Sequence, residues 1–411
     1  MTPDTMRTID RYAGMPITWV ATLLQTVWQL FRRPRPQTPQ RILFIELSEM
    51  GSTILADPAM RKARDHFQAE IFFVIFSKNR ASLRLLQTVP EEHIFVINER
   101  DLMSICLDLL RFRRWTREQR IDTTVDLELF SRFTALLSWL SGAVNRVGFY
   151  PFFNEGLYRG ELLSHRVAYN PHQHIAKNFV ALINALISRR PELPFSKTVV
   201  RDAEVTLPVV TPLPKALEAM RAKIRTVFPR YDETRSGVVL INPNSSELLP
   251  QRRWPQENYR QLIIRILDHY PAHLILITGA PSEQAGAMAL VAAVNHERCG
   301  NLAGLLTIEE LPTLYTLSAL MVTNDSGPGH FSAITRMPTI TLFGPETPAL
   351  YGSLGNAHPI YAGLACSPCV SAANHRKTPC TDNVCLQIIP PATVFAKVEE
   401  ILNGLSLTET R

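Results

Sequence analysis

The sequence predicts an α/β protein built from two doubly wound, Rossmann-like domains. Three observations carry that expectation. The chain of 411 residues is too long for one ordinary domain, and with 46% hydrophobic and 19% charged residues it can bury two cores, which excludes a disordered or low-complexity protein. Strand-like runs alternate with helix-length segments in two blocks, divided by a Pro-rich, charged stretch. Several of the strands run straight into polar or glycine-rich turns, as ligand-binding crevices of doubly wound sheets require. The balance of 43 Lys and Arg against 37 Asp and Glu, net +6, fits anionic ligands or an anionic membrane surface. It does not demand nucleic acid, which is not among the expected partners.

Residues 1–38 are expected to form an amphipathic, membrane-associating helix and a Pro-rich linker. In MPITWVATLLQTVWQLF (15–31) the residues Thr18, Thr22, Gln25, Thr26 and Gln29 share one helical stripe. The rest of the surface is apolar and carries Trp19 and Trp28, and Arg32, Arg33 and Arg35 follow at once. Two tryptophans, a wide apolar face and a basic flank describe a helix lying in an anionic membrane interface through residues 15–35. A helix packed on the protein itself is the plainer alternative. No uninterrupted run of about 18 apolar residues occurs, and no secretory pattern opens the chain. The expectation is a cytoplasmic protein, peripheral on the cytoplasmic face of the inner membrane.

Residues 39–210 read as the first domain. RILFIELSE (41–49) is a buried strand, followed by Met50-Gly51-Ser52 and a helical pattern to about Asp65. Further strands are expected at 69–76, 93–98 and 123–129. Segment 102–120 ends in Arg111, Arg113, Arg114, Arg117 and Arg120. That cluster reads as a solvated helix face, with anionic headgroups as the sharper alternative. His172 and His174 stand two residues apart, which places them on different helix faces and argues against a metal pair.

Pro and charge between 190 and 235 mark an interdomain linker, set at 211–235. The second domain follows over 236–390, with strands at 238–244, 273–279, 299–304, 320–325 and 339–344, and 391–411 is a C-terminal helix and tail. The two sets of strands are expected to end at one shared cleft.

The chemistry is concentrated at strand ends of the second half. LMVTNDSGPGH runs from a strand into Asn324, Asp325 and Ser326, then Gly327, Pro328, Gly329 and His330. Glycines at such a turn let backbone N–H groups approach a phosphate closely, and His330 can reinforce the contact. Asn244, Ser245 and Ser246 follow the strand at 238–244, and Arg252 and Arg253 stand in the next loop, where a guanidinium can bridge phosphate oxygens. Gly279 and the Gly344–Glu346 turn complete four strand-end turns suited to a nucleotide diphosphate.

NDSGPGH, LFGPETP, NPNSSELLPQRRWP and LSEMGSTILADPAM together resemble glycosyltransferase family 9, the family of the lipopolysaccharide heptosyltransferases, over about residues 41–390. The resemblance implies a GT-B fold, with a donor-binding C-terminal domain and an acceptor-binding N-terminal domain. It implies an inverting, metal-independent transfer from a nucleotide-diphosphate sugar, ADP-heptose in the best-known members, to a lipid-linked or lipopolysaccharide acceptor. Asp325 would contact the donor sugar, the Gly327–Gly329 turn and His330 would hold the diphosphate, and Arg252 or Arg253 would stand where a family lysine meets the phosphates. Gly51 and His174 would lie on the acceptor side. The family pattern Ser-x-Met-Gly-Asp places its general base at a position that here is Ser52, and a serine cannot take up the acceptor's proton unaided. Glu49 in the same turn is the nearest substitute carboxylate, with Glu46 and Asp57 further candidates. The alternatives are a nucleotide-sugar epimerase of similar shape and a relative that binds nucleotide sugar without turnover.

Cys366 and Cys369 form a CxxC pair, and Cys380 and Cys385 a wider one. The spacing is near that of a structural zinc site, with reduced or redox-active thiols as the alternative; no cofactor is expected for catalysis itself.

Overall fold

The structure is a computed structural model that describes residues 3–31, 37–152, 157–188, 192–372, 374 and 376–408. It divides into two compact units between Thr206 and Leu207.

The N-terminal unit opens with helices α1 (Pro3–Tyr12) and α2 (Gly14–Phe31). Among its described residues, β1 (Arg41–Ile45), β2 (Glu70–Phe76), β3 (Ile94–Ile97), β4 (Thr123–Asp126), β5 (Asn145–Phe149) and β6 (His165–Val167) form one parallel sheet in the order β3-β2-β1-β4-β5-β6. Helices α3 (Met50–Phe67), α4 (Leu102–Glu118), α5 (Arg132–Leu140) and α6 (Ile175–Ile187) flank it. β1 pairs with β2 from Arg41↔Glu70 to Ile45↔Val74, and with β4 from Ile42↔Thr123 to Ile45↔Asp126. The residues of β1 and β2 are almost all buried, the continuous apolar pattern of strands covered on both faces. Strands β5 and β6 were not among those expected, because NRVGF and HRV place Arg and His within short runs.

The C-terminal unit repeats the plan. Its parallel sheet has the order β12-β11-β10-β7-β8-β9, from β7 (Gly237–Asn242), β8 (His273–Ile277), β9 (Cys299–Asn301), β10 (Leu320–Asn324), β11 (Thr339–Phe343) and β12 (Ala357–Tyr361). Its longer helices are α7 (Pro214–Val227), α8 (Gln256–His269) and α9 (Gln284–Val294). Short ones follow: α10 (Leu311–Thr316), α11 (Gly327–Phe331), α12 (Pro348–Tyr351) and α13 (Val384–Gln387). The last, α14 (Pro391–Thr408), joins α8 and α9 in the core against the sheet. The stretch 211–235, read as a linker, holds α7, whose Met220 and Ile224 are buried.

The chain reverses its direction of travel across this sheet between β7 and β10, the switch point at which doubly wound sheets open a crevice. A matching reversal lies between β1 and β4.

Helix α2 docks in an unusual sense. Its buried residues are Gly14, Thr18, Ala21 and Gln25, so part of the polar stripe faces the protein. Trp139 Nε1 donates to Gln25 Oε1 at 3.0 Å, and the Glu161 N–H donates to Thr22 Oγ1 at 3.0 Å. Gly160, at φ +75°, makes the close approach feasible, since a Cβ there would sit 2.5 Å from Thr18 Cγ2. The apolar side, including Trp19, Leu23, Leu24, Val27 and Trp28, is left exposed.

Candidate functional site

In the N-terminal unit the candidate residues gather where β1 enters α3. Glu49 is the N-cap of α3 in an extended conformation and is half-buried. Ser52 is buried one turn on, and its hydroxyl donates back to Glu49 Oε2 at 3.2 Å. Ser52 therefore helps hold the Glu49 carboxylate in place. Gly51 lies half-buried between them.

Asp57 requires a correction as a base candidate. It is fully buried inside α3, with Arg61 Nε 2.7 Å and Thr88 Oγ1 2.5 Å from its two oxygens, so no acceptor can reach it. Glu46 is likewise buried. His174 is the N-cap of α6, where its Nδ1 accepts from the Ala176 N–H at 3.2 Å.

Glu128 was passed over. One oxygen of its carboxylate accepts from the backbone N–H of Leu47 (3.0 Å) and of Ser48 (2.9 Å), and from the Ser48 hydroxyl (2.5 Å). It thereby fixes the turn that carries Glu49, across the switch point from β4 to β1. The available signal was an acidic residue at the end of the run TTVDLEL, where a strand delivers side chains to the crevice. Beside it, the buried Asp126 pairs with the buried Arg159; burial pushes this carboxyl up to about 6 against the pull of the guanidinium.

In the C-terminal unit Asn324 closes the switch point instead of facing a ligand, a correction to its expected donor role. Its Oδ1 accepts from the Trp254 N–H and the Tyr259 hydroxyl, each at 3.0 Å. Its Nδ2 donates to the carbonyls of Pro243 (2.8 Å) and Asn244 (3.3 Å). The side chain is fully buried and its amide is fully occupied.

The next residue begins an ionic cluster. Arg252 Nε lies 3.3 Å from Asp325 Oδ2, and its Nη2 lies 2.8 Å from Glu346 Oε1. Asp325 is 4% exposed and Glu346 2%. Burial drives both carboxyls upward, Glu346 to about 7, and Arg252 pulls both back down. Their two charges in turn push the guanidinium's pKa further up, so it stays cationic. Arg376, stacked on the Tyr351 ring at 4.7 Å, adds its Nε at 3.6 Å from Glu346 Oε1. Arg252 thus faces two carboxylates, whereas Arg253 pairs with Glu247 and donates to the Ser245 carbonyl at 3.0 Å.

Ser326 caps α11 in an extended conformation, and Gly327, Gly329 and His330 form its short turn, with His330 half-buried. Asn244 and Arg253 line a groove of about 530 Å³ shared with Ser282 and Glu283. Gly279 is closely packed, since a Cβ there would lie 2.8 Å from Asn244 Nδ2. Ser245 is buried and Ser246 exposed, its hydroxyl accepting from the Leu248 N–H. Gly344 is tightly packed: a Cβ would meet Leu386 Cγ at 2.8 Å and Cys385 Sγ at 3.0 Å.

The four thiols share a neighbourhood, for Cys366, Cys369 and Cys380 add to the burial that pushes Cys385 up to about 11. Among the described residues, however, no three His, Cys, Asp or Glu side chains converge as a bound metal requires. Cys380 is turned toward Asp382 at 3.4 Å, and Cys385 packs under Gly344.

The family model for glycosyltransferase family 9 (heptosyltransferase) matches residues 109–378, more than half of the chain and nearly all of the C-terminal site. The chain belongs to glycosyltransferase family 9. This family member is 26% identical over 167 residues to lipopolysaccharide heptosyltransferase 2 of Salmonella typhimurium, spanning 40% of this chain and 47% of that one. It thus spans about half the length of that relative. A longer match, 22% identical over 371 residues, runs through 89% of this chain and 99% of lipooligosaccharide heptosyltransferase 2 of Campylobacter jejuni. Among solved structures, the ADP-heptose lps heptosyltransferase II of E. coli superimposes with a TM-score of 0.67 at 20% identity, covering 90% of this chain and 100% of that one. That likeness shows the GT-B fold, two parallel sheets with flanking helices, as the resemblance implied.

Proposed function

We propose that this family member transfers a sugar, with inversion and without a metal, from a nucleotide-diphosphate sugar of the ADP-heptose kind to a lipid-linked or lipopolysaccharide acceptor. The observation that carries the reading is the Asp325–His330 turn at the end of β10, at the switch point of a sheet in a family 9 chain. The acceptor hydroxyl attacks the anomeric carbon opposite the diphosphate, and Glu49 takes its proton. The bond to the diphosphate breaks as the new glycosidic bond forms, and the charge gathers on the leaving phosphates. His330, the backbone of the Gly327–Gly329 turn and Arg253 stabilise that charge as preorganised donors.

The exposed apolar side of α2, followed in sequence by Arg32, Arg33 and Arg35, supports a peripheral seat on the anionic cytoplasmic face of the inner membrane. Among the described residues no helix is long and apolar enough to cross a membrane. The decisive experiment incubates the protein with ADP-, UDP-, GDP- and dTDP-sugars and a membrane extract in the presence of EDTA. Release of one nucleoside diphosphate with a newly labelled lipid, its anomeric configuration inverted by NMR, is the expected result. Interconversion of free nucleotide sugars without lipid labelling would replace the transferase with an epimerase.

A further inference from the structure

Helix α4 carries a second feature of the same kind. It begins properly, with Asp101 accepting from the Ser104 N–H at 2.8 Å, and buries Ile105, Phe112 and Thr116. Its outward stripe does not follow the usual polar pattern. Met103 is 70% and Leu110 72% exposed, and Leu102 and Leu107 are also exposed. Positions 103, 107, 110 and 114 lie on one face, so this apolar ridge leads directly into Arg114, whose Nε pairs with Glu118 at 2.6 Å; beside it stand Arg111, which pairs with the buried Asp108 at 3.0 Å, and Arg117. A soluble helix rarely presents three large apolar side chains in a row along its solvent face, with a fourth, Leu102, beside them.

The ridge lies on the same side of the N-terminal sheet as the first two helices. Ile105 and Phe112 of α4, Leu137 of α5 and the β1 residues Leu43 and Ile45 share one core cluster, and Met6 of α1 packs against it. Arg113 Nη1 donates to the Leu140 carbonyl at 2.7 Å, which ties α4 to α5. Helix α5 in turn is capped by Asp10 of α1, through the Phe133 N–H at 2.8 Å, and joined to α2 through Trp139 and Gln25. We infer that α4 and α2 form one membrane platform, in which Met103, Leu107 and Leu110 enter an anionic bilayer interface while Arg111, Arg114 and Arg117 meet its phosphates.

The charge pattern selects this occupant. The apolar ridge is bordered by cations at its own C-terminal end, and the exposed apolar side of α2 is followed by three more arginines in the sequence. That is the pattern of an element that dips into headgroups, with arginine heads held at the phosphate level. The inference deepens the membrane seat proposed for α2 and is independent of the transfer chemistry.

The test uses the full chain and sedimentation with vesicles of phosphatidylcholine and phosphatidylglycerol in equal parts. Two double variants probe the ridge, L107E/L110E and R114E/R117E, and one probes α2, W19E/W28E. Each ridge variant is expected to lose about tenfold or more in partitioning, from apolar burial in the first case and headgroup attraction in the second. Nucleotide release from the donor in detergent should stay unchanged. Partitioning of both ridge variants like the unsubstituted chain would overturn the inference, and loss in W19E/W28E alone would leave α2 as the sole anchor. If L107E/L110E does not fold, R114E/R117E decides. A dimer in sedimentation velocity that L107E/L110E converts to monomer would assign the face to a second copy instead. Failure of nucleotide release in the unsubstituted chain as well, with ridge-dependent partitioning intact, would sink the transferase reading and leave the platform standing.

Discussion

The guanidinium of Arg252 lies 3.3 Å from the carboxylate of Asp325, with both side chains largely withdrawn from water. A third charge, Glu346, shares the same cation at 2.8 Å. The net charge of this cluster therefore depends on protons as well as on residues.

Replacing Arg252 by Met leaves the buried Asp325 without a cation and Glu346 with only the more distant Arg376. The loss in stability is expected to be about 3–5 kcal/mol, because each must either ionise without its close cation or take up a proton. Arg252→Lys should recover part of it as a point charge. Urea unfolding of the three proteins checks this, and an Arg252→Met chain as stable as its parent would show that the cluster contributes nothing.

Glu346 supplies a pH dependence with a definite sign. Its carboxyl is raised from 4.5 to about 7 in the folded chain, so the native state holds the proton more tightly than the unfolded one. Its contribution to stability is fully present below pH 4.5 and is lost as pH rises through 7. Glu346→Gln, which cannot ionise, is expected to flatten the fall in unfolding midpoint between pH 4.5 and 7.5. An equal slope in both proteins would remove Glu346 as its source.

Glu49→Gln is expected to lower turnover by about 10²- to 10⁴-fold while donor affinity is kept, as for a removed general base. Glu128→Gln should weaken the grip on the Leu47 and Ser48 amides and give a smaller loss, because the base is still present but less well placed. The pair separates the roles: the first should abolish the acidic limb of the pH–rate profile, the second should retain it. A fully active Glu49→Gln enzyme would assign the base elsewhere.

Asn324→Ala removes four hydrogen bonds that join β10 to the β7 turn and α8. At about 1 kcal/mol each, with buried partners left unpaired, the expected cost is about 3–5 kcal/mol. The unfolding midpoint should drop accordingly, and Asn324→Asp, which keeps only the acceptor half, should fall between. No change in midpoint would return Asn324 to the list of ligand contacts.

The candidate site was legible in sequence where chemistry is local. Asp325-Ser326-Gly327-Pro328-Gly329-His330 announces itself because the strand, the turn and the glycines are contiguous. Asn324 was misjudged for the converse reason: its partners, Pro243, Trp254 and Tyr259, lie at least 65 residues away in the chain and reach it only through the pairing of β10 with β7. The same holds for Glu128, whose hold on Ser48 and Leu47 spans 80 and 81 residues and depends on β1 lying next to β4.

Helix α2 shows the division most plainly. The sequence by itself determined an apolar helix with one polar stripe, two alternating α/β blocks and the family 9 signature, since each is a matter of period or of neighbouring residues. Only the tertiary structure decided that the polar stripe, rather than the apolar face, docks on the protein, and that Arg252 is claimed by two carboxylates. Such outcomes turn on which distant groups the strand order brings within a few ångströms, where burial and charge act together and no local pattern can reveal them.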